Sequence, residues 1–332
     1  MPNAASQEIA RVLMTGATGF VGQHLCQALT EQNVSVRAVV RSSKQARMLL
    51  PSQCEPACID HINGDTDWSG ALRDVDAVVH LAARVHVMRD RASDPFAQYR
   101  EVNTEGTRRL AEAAVDAGVD KFIYLSTVKV NGESTFEGHA FTIDDAPYPQ
   151  DPYARSKWEA EQLLHRIAGS SGLETTVLRP PLIYGPGVGA NFLALMRWVD
   201  RGVPLPLGAV RNRRSLLYVG NLAAAVIACL ESSRANGQTF LLGDGEAVST
   251  PALVNSIAAH MGKSPRLWPV PVPLLRVAGR LSGKSSVIER LVGSLEVDSQ
   301  PVRRRLGWSP PYSMDRAMAA TVAWYRQHKR SA

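Results

Sequence analysis

The sequence predicts an α/β protein, a doubly wound parallel sheet with a smaller C-terminal substrate lobe. First, Val12-Leu13-Met14 runs through Thr15-Gly16-Ala17-Thr18-Gly19-Phe20-Val21-Gly22 into an apolar-periodic segment ending near Leu29, which reads as strand, tight glycine turn and helix. Second, short apolar runs alternate with helix-period stretches as far as Arg179, the pattern of a parallel sheet covered on both faces. Third, the pattern then breaks into proline-rich turns and short helices. The division expected is 10–180, with 215–235 returning to it, as a dinucleotide-binding domain, and 181–214 with 236–330 as the lobe.

The glycine turn sets the chemistry. A backbone that turns sharply and then brings its amides against a pyrophosphate needs residues without Cβ, which Gly16, Gly19 and Gly22 provide. The N–H groups opening the helix, at Phe20 and Val21, add partial positive charge for the phosphates. The spacing is Gly-x-x-Gly-x-x-Gly rather than the Gly-x-Gly-x-x-Gly fingerprint, so the readable strand before and helix after carry the reading.

The next strand, Val34 to Val40, lacks the acid that would hold a ribose; Arg41-Ser42-Ser43-Lys44 follows instead. Arg41 suits a 2′-phosphate and tilts the cofactor modestly from NAD towards NADP, or else it is a surface cation after a strand. Ala57 to Asn63 reads as a weak strand before Gly64-Asp65, and Ala77 to Ala83 as a strong one whose small residues let the sheet edge approach a flat ring. Within the helical stretch Ala92 to Ala117, Asn103 is a kink-stabilising or water-holding amide. Lys121 to Thr127 is a strand ending in Ser126-Thr127.

Asp151-Pro152 then supplies an N-cap and a first-turn proline to a helix that carries Tyr153 and Lys157 four residues apart on one face. An ammonium beside a phenol favours the phenolate; moving a phenol from pKa ~10 to neutrality takes ~4 kcal/mol, within reach of a cation in a partly dry pocket. Val177 to Gly187 reads as a last sheet strand leaving into a loop, and helices are expected at Asn191 to Trp198, Val219 to Leu230 and Thr250 to Met261, the middle one returning to the large domain.

Length and composition bound the class. The 332 residues, 45% of them hydrophobic, suffice for a large core. No uncharged apolar run reaches the ~18 residues of a membrane span, Met1 to Ala10 lacks signal-peptide regions, and the expectation is a cytoplasmic protein without membrane insertion. Cysteines at 26, 54, 58 and 229 form neither a Cys-x-x-Cys pair nor a zinc pattern, so no metal is expected. The formal charge of +6 draws on Arg211-Asn212-Arg213-Arg214 and Arg303-Arg304-Arg305. Without interleaved aromatics these are read as an anionic small-molecule site and a solvated face, not as a nucleic-acid surface.

Together, the glycine loop, His80-Leu81-Ala82-Ala83, Asn103, Ser126-Thr127, Tyr153-x-x-x-Lys157 and Arg179-Pro180 resemble the extended short-chain dehydrogenase/reductase family, with its Rossmann fold, over nearly the whole chain. The resemblance implies that Tyr153 exchanges a proton with a sugar hydroxyl or ketone, that Lys157 holds the nicotinamide ribose and lowers the tyrosine pKa, and that Thr127, with Ser126 as understudy, aligns the oxygen. It puts Asp65 against adenine and Leu81, Ala82, Ala83 and Asn103 on the cofactor side. Asn191 and Arg214 match positions offered to a UDP moiety, with Arg84, His86 and Lys129 also on the substrate side. Leu182 replaces a common Asn, which weakens the diphosphate contact, and Val128-Lys129 replaces the Asp-Glu pair of sugar 4,6-dehydratases, which argues against dehydration.

A narrower likeness rests on Arg84 to Met88, Ser126 to Gly132 and Pro204 to Gly208. It points to the reductases of bacterial surface-polysaccharide (O-antigen) synthesis that interconvert UDP-4-keto-6-deoxy-N-acetylglucosamine and UDP-N-acetylquinovosamine. The expectation is therefore a UDP-sugar 4-ketoreductase with a dissociable NADP or NAD, with 4-epimerisation as the alternative and a non-catalytic dinucleotide sensor as an alternative of another class. The resemblance also suggests a homodimer.

Overall fold

The computed structural model describes residues 9–85, 94–136 and 138–329. From the N-terminus, β1 (Arg11–Thr15), α1 (Phe20–Glu31), β2 (Ser35–Val40), α2 (Ser43–Leu49), β3 (Glu55–Cys58) and β4 (Ala77–His80) build one half of a sheet. Then α3 (Pro95–Tyr99), a π-helical turn (Arg100–Glu105) and α4 (Gly106–Asp116) lead to β5 (Lys121–Leu125), a 3-10 turn (Val128–Val130), α5 (Pro152–Ser170) and β6 (Glu174–Arg179). Seven parallel strands run in the order β3-β2-β1-β4-β5-β6, with β9 (Gln238–Leu241) at the far edge. The order reverses between β1 and β4, and the carboxyl ends there, Thr15 and His80, sit beside each other in register. That reversal is where an open parallel sheet forms its ligand crevice.

The central strands are apolar on both faces because helices cover both: Val12, Met14, Val79 and Leu178 lie in one buried cluster, and Leu13, Val78, Phe122 and Tyr124 in another. The second unit contains β7 (Leu182–Tyr184) paired with β8 (Leu216–Tyr218), α6 (Ala190–Asp200), α8 (Thr250–His260), α9 (Val272–Leu281), α10 (Ser285–Val292) and α12 (Met314–His328). Its core gathers Tyr184, Phe192, Met196, Val254, Ile257 and Met318. α7 (Val219–Glu231) packs on the large unit, burying Leu222, Val226 and Leu230 beside Leu25 and Leu29 of α1.

Three expectations need correction. The boundary at 235 falls too early, because β9 hydrogen-bonds to β6 and α11 (Gln300–Leu306) buries Val302 in the large core. For the same reason β6 is not the last strand of the sheet. The third strand ends at Cys58, earlier than the 57–63 reading, since Ile59 closes it by donating to Val40 and the chain then turns through Thr66. Among the described residues no helix is long and apolar enough to cross a membrane.

Candidate active site

The loop from β1 to α1 is built on missing side chains. Gly16 has φ +70°, and a Cβ there would lie 2.8 Å from the Ala82 nitrogen; one on Gly22 would lie 2.2 Å from the Gly16 carbonyl oxygen. Gly19 precedes α1 and donates to that carbonyl at 3.0 Å. Phe20 and Val21 open the helix, and both side chains pack into protein, Phe20 edge-on to His24 and Val21 against both large cores. What these two residues offer a ligand is backbone N–H.

A cavity of about 710 Å³ begins at this loop, with Gly16, Thr18, Arg41, Gln45, Ala82, Ala83 and Arg84 among its walls. Asp60, His61, Ile62 and Asn63 line it as well. Asp60 therefore sets a carboxylate in the same cavity as Arg41, a residue that sequence reasoning missed because the strand before it was drawn too long. Asp65 lines a smaller adjoining cavity with Arg100, Glu101 and Arg108, and Leu81 packs against the core.

Beneath the loop the hydrogens can be ordered. Ala82 N–H donates to Thr15 Oγ1 (3.1 Å), Thr15 Oγ1 meets His80 Nδ1 (2.6 Å), His80 Nε2 meets Thr107 Oγ1 (2.9 Å), and Thr107 Oγ1 donates to the Asn103 carbonyl (2.6 Å). A carbonyl only accepts, so the Thr107 proton is spent on it and Nε2–H must donate to Thr107. Nδ1 is then the acceptor from Thr15. Burial, with the Lys157 charge nearby, pushes the fully enclosed His80 down to about 3, so the ring stays neutral.

Asn103 sits in the π-helical turn and is buried. Its amide accepts from Arg84 N (2.7 Å) and donates to Arg84 O (3.0 Å) and Ser156 Oγ (2.9 Å). From within the π-helical turn this amide clamps the loop after β4 to α5. Arg84 also lies over the Tyr99 ring.

Asp151 caps α5 as expected, accepting from Ala154 N at 2.7 Å. Lys157 is buried, its Nζ 4.0 Å from the centre of the Tyr124 ring, and burial lowers its pKa to about 7 while Glu161 works the other way. The partly buried Tyr153 packs edge-on to Tyr99 at 6.4 Å. Burial first, then the Asp151 charge and Tyr99, raise its phenol above the usual range. The spacing argument predicted the opposite direction; here burial, joined by the Asp151 charge, sets it.

Ser126 and Thr127 separate cleanly. Ser126 Oγ is buried and donates to Glu161, which also holds Arg179 through Oε2 to Nη2 at 2.5 Å; Arg179 Nη1 donates to Asn131. Ser126 is thus engaged with Glu161, while Thr127, partly buried, caps the 3-10 turn by accepting from Lys129 N at 3.3 Å. Glu161 was missed, although it continues the four-residue spacing of Tyr153 and Lys157. Lys129 Nζ bridges Glu133 and Asp151, at 2.7 Å each. Arg214 is mostly buried in the second unit and donates to Gly293 O, its pKa lowered by burial with Glu133 and Arg290 nearby. Asn191 is exposed in the first turn of α6. His86 lies outside the described residues.

The parts fit a dinucleotide: a loop whose glycines leave no room for Cβ, helix-opening amides, and a long cavity passing the sheet's reversal. Comparison with known proteins agrees. The pattern of the NAD dependent epimerase/dehydratase family matches residues 12–243. A UDP-glucose 4-epimerase of Vibrio cholerae is 40% identical over 320 residues, 95% of each chain. Two solved structures superpose with TM-scores of 0.76 at 26% identity. One is a UDP-glucuronic acid 4-epimerase from Bacillus cereus in complex with UDP-glucuronic acid and NAD, covering 96% of this chain and 99% of that one. The other is a UDP-glucose 4-epimerase from Thermus thermophilus in complex with NAD, covering 95% and 99%.

Proposed function

This chain belongs to the NAD dependent epimerase/dehydratase family, and from that premise we propose that it reduces C4 of a UDP-4-keto-6-deoxy-N-acetylhexosamine. The observation that supports a proton-donor role is Tyr153 with Lys157 on one face of α5, and the reductive direction rests on the sequence likeness at Ser126 to Gly132 and Pro204 to Gly208. When bound, a reduced nicotinamide supplies the hydride. Tyr153 gives its proton to O4 as that oxygen gains charge, Thr127 donates a hydrogen bond to the same oxygen, and Lys157 holds the ribose. Solvent then returns a proton to Tyr153. The glycine loop and the amides of Phe20 and Val21 hold the pyrophosphate, while Arg214 and Asn191 face the UDP end. NAD(H) is the cofactor in the similar structures; Arg41 in the cavity wall supports acceptance of NADP(H) as well.

A second reading, 4-epimerisation of a UDP-sugar, is favoured by the 40% identical relative. The two readings make different demands. An epimerase keeps its nicotinamide through oxidation, sugar rotation and re-reduction, whereas a reductase releases it each cycle. Protein purified without added dinucleotide is expected to carry little of it and to leave UDP-glucose and UDP-N-acetylglucosamine unchanged at C4. Recovery with tightly bound NAD, and equilibration of UDP-N-acetylglucosamine with UDP-N-acetylgalactosamine without added reductant, would replace the first reading by the second.

A further inference from the structure

The helical hairpin α9–α10 carries chemistry that the cofactor and sugar sites do not use. Gly279 lets the helices approach closely, since a Cβ there would lie 2.8 Å from Ile288, and Lys284 N–H closes the turn on the Gly279 carbonyl at 2.8 Å. Leu275, Gly279 and Val292 are buried towards the protein. The rest of α9 faces outward. Leu274, Val277 and Leu281 recur at helical spacing and are 60%, 50% and 85% exposed, and Val287 of α10 is 40% exposed. A continuous aliphatic stripe this open is uncommon on a surface that meets only water.

The charge around the stripe is one-sided. Residues 263–292 hold six Lys and Arg against a single Glu, net +5 in a chain whose whole formal charge is +6. Of these cations, Arg276 is paired with Glu289 and Lys263 with Asp200 of α6. Arg280 and Lys284 are exposed; Arg290 lies near Arg214. Trp268, three residues before the cap of α9, is 60% exposed. An aliphatic stripe bordered by cations, with an exposed indole nearby, is the composition that seats a helix in the headgroup region of an anionic bilayer. A second copy of the chain is a poor occupant, because a self-complementary interface would set these cations against one another.

We propose that the α9–α10 hairpin docks the protein on an anionic lipid membrane, lying in the interface without crossing it. The aliphatic stripe enters the headgroup boundary, and Arg280 and Lys284 face lipid phosphates.

Sedimentation of the full chain with vesicles tests this. Equimolar phosphatidylglycerol and phosphatidylcholine vesicles should carry the protein down at low salt, and high salt or pure phosphatidylcholine should release it. Replacing Val277 and Leu281 together by Gln should weaken binding roughly tenfold per side chain, and Arg280→Glu by roughly fivefold or more. Dinucleotide binding and the thermal midpoint should stay unchanged in these variants, since the altered side chains are exposed. Protein left in the supernatant at low salt would overturn the proposal. So would binding insensitive to the Val277 and Leu281 changes, which would mean a general polyanion contact. Loss of a dimer in the same variants without any vesicle binding would make this face a contact between copies instead.

Discussion

Replacing Tyr153 by Phe removes one oxygen and leaves a ring that still packs against Tyr99. Turnover should fall by ~10²–10⁴, the usual worth of a positioned proton donor, with dinucleotide affinity nearly intact. Near-normal turnover in that variant would remove Tyr153 from the chemistry. Arg41→Ala tests the cofactor instead: a cation lost from the cavity should cost NADPH ~1–3 kcal/mol more than NADH, read as the change in their kcat/KM ratio. An unchanged ratio would make Arg41 a plain surface residue, and Asp60 in the same cavity would then set the preference for NADH. At this scale legibility was uneven. The glycines and the Tyr153 and Lys157 spacing were readable because backbone geometry and helical period fix them. Asp60 was not, because its loop has no period. The direction of the Tyr153 shift was misjudged because depth of burial does not follow from spacing.

Among the elements, β1, β4 and the π-helical turn are joined through one imidazole. His80 is held near 3 in the folded chain against 6.5 unfolded, so between those values the unfolded state binds more protons. Its contribution is therefore complete above pH 6.5 and is lost as pH falls towards 3, with a slope approaching ~1.4 kcal/mol per pH unit. Lys157, lowered to about 7, works in a separate window: stability rises with pH from about 7 towards the unfolded lysine value of ~10.4. Unfolding midpoints of the wild type and His80→Gln measured across about pH 4 to 6.5 check the first window, with the variant expected to show the shallower slope whatever its constant offset. Parallel slopes would contradict the buried neutral imidazole. The strands β1 to β6 and the helices α1 and α4 to α8 were legible as apolar runs and periods. The π-helical turn was not, since one extra residue per turn leaves no compositional mark, although Asn103 within it stood out as a polar residue in an apolar pattern.

On the scale of the molecule, a parallel sheet with helices on both faces followed from the alternation of elements, and the reversal between β1 and β4 puts the crevice beside the glycine loop. The end of the chain was harder. β9 is only four residues long and β7 and β8 three each, too short for alternation to register, so the lobe was drawn to include a strand of the large sheet. The basic excess is visible in the sequence as two arginine clusters, whereas the cations of α9–α10 are spread along helices rather than run together and make no such mark.

The central claim is hydride delivery to C4 of a UDP-sugar from an exchangeable cofactor. NAD(P)H carrying deuterium on the transferring face of its nicotinamide, incubated with the protein and UDP-4-keto-6-deoxy-N-acetylglucosamine, reads it directly. The account predicts one deuterium at sugar C4 for each dinucleotide oxidised, and no incorporation with Tyr153→Phe over the same time. A product without deuterium at C4, or no cofactor oxidation at all, would contradict it.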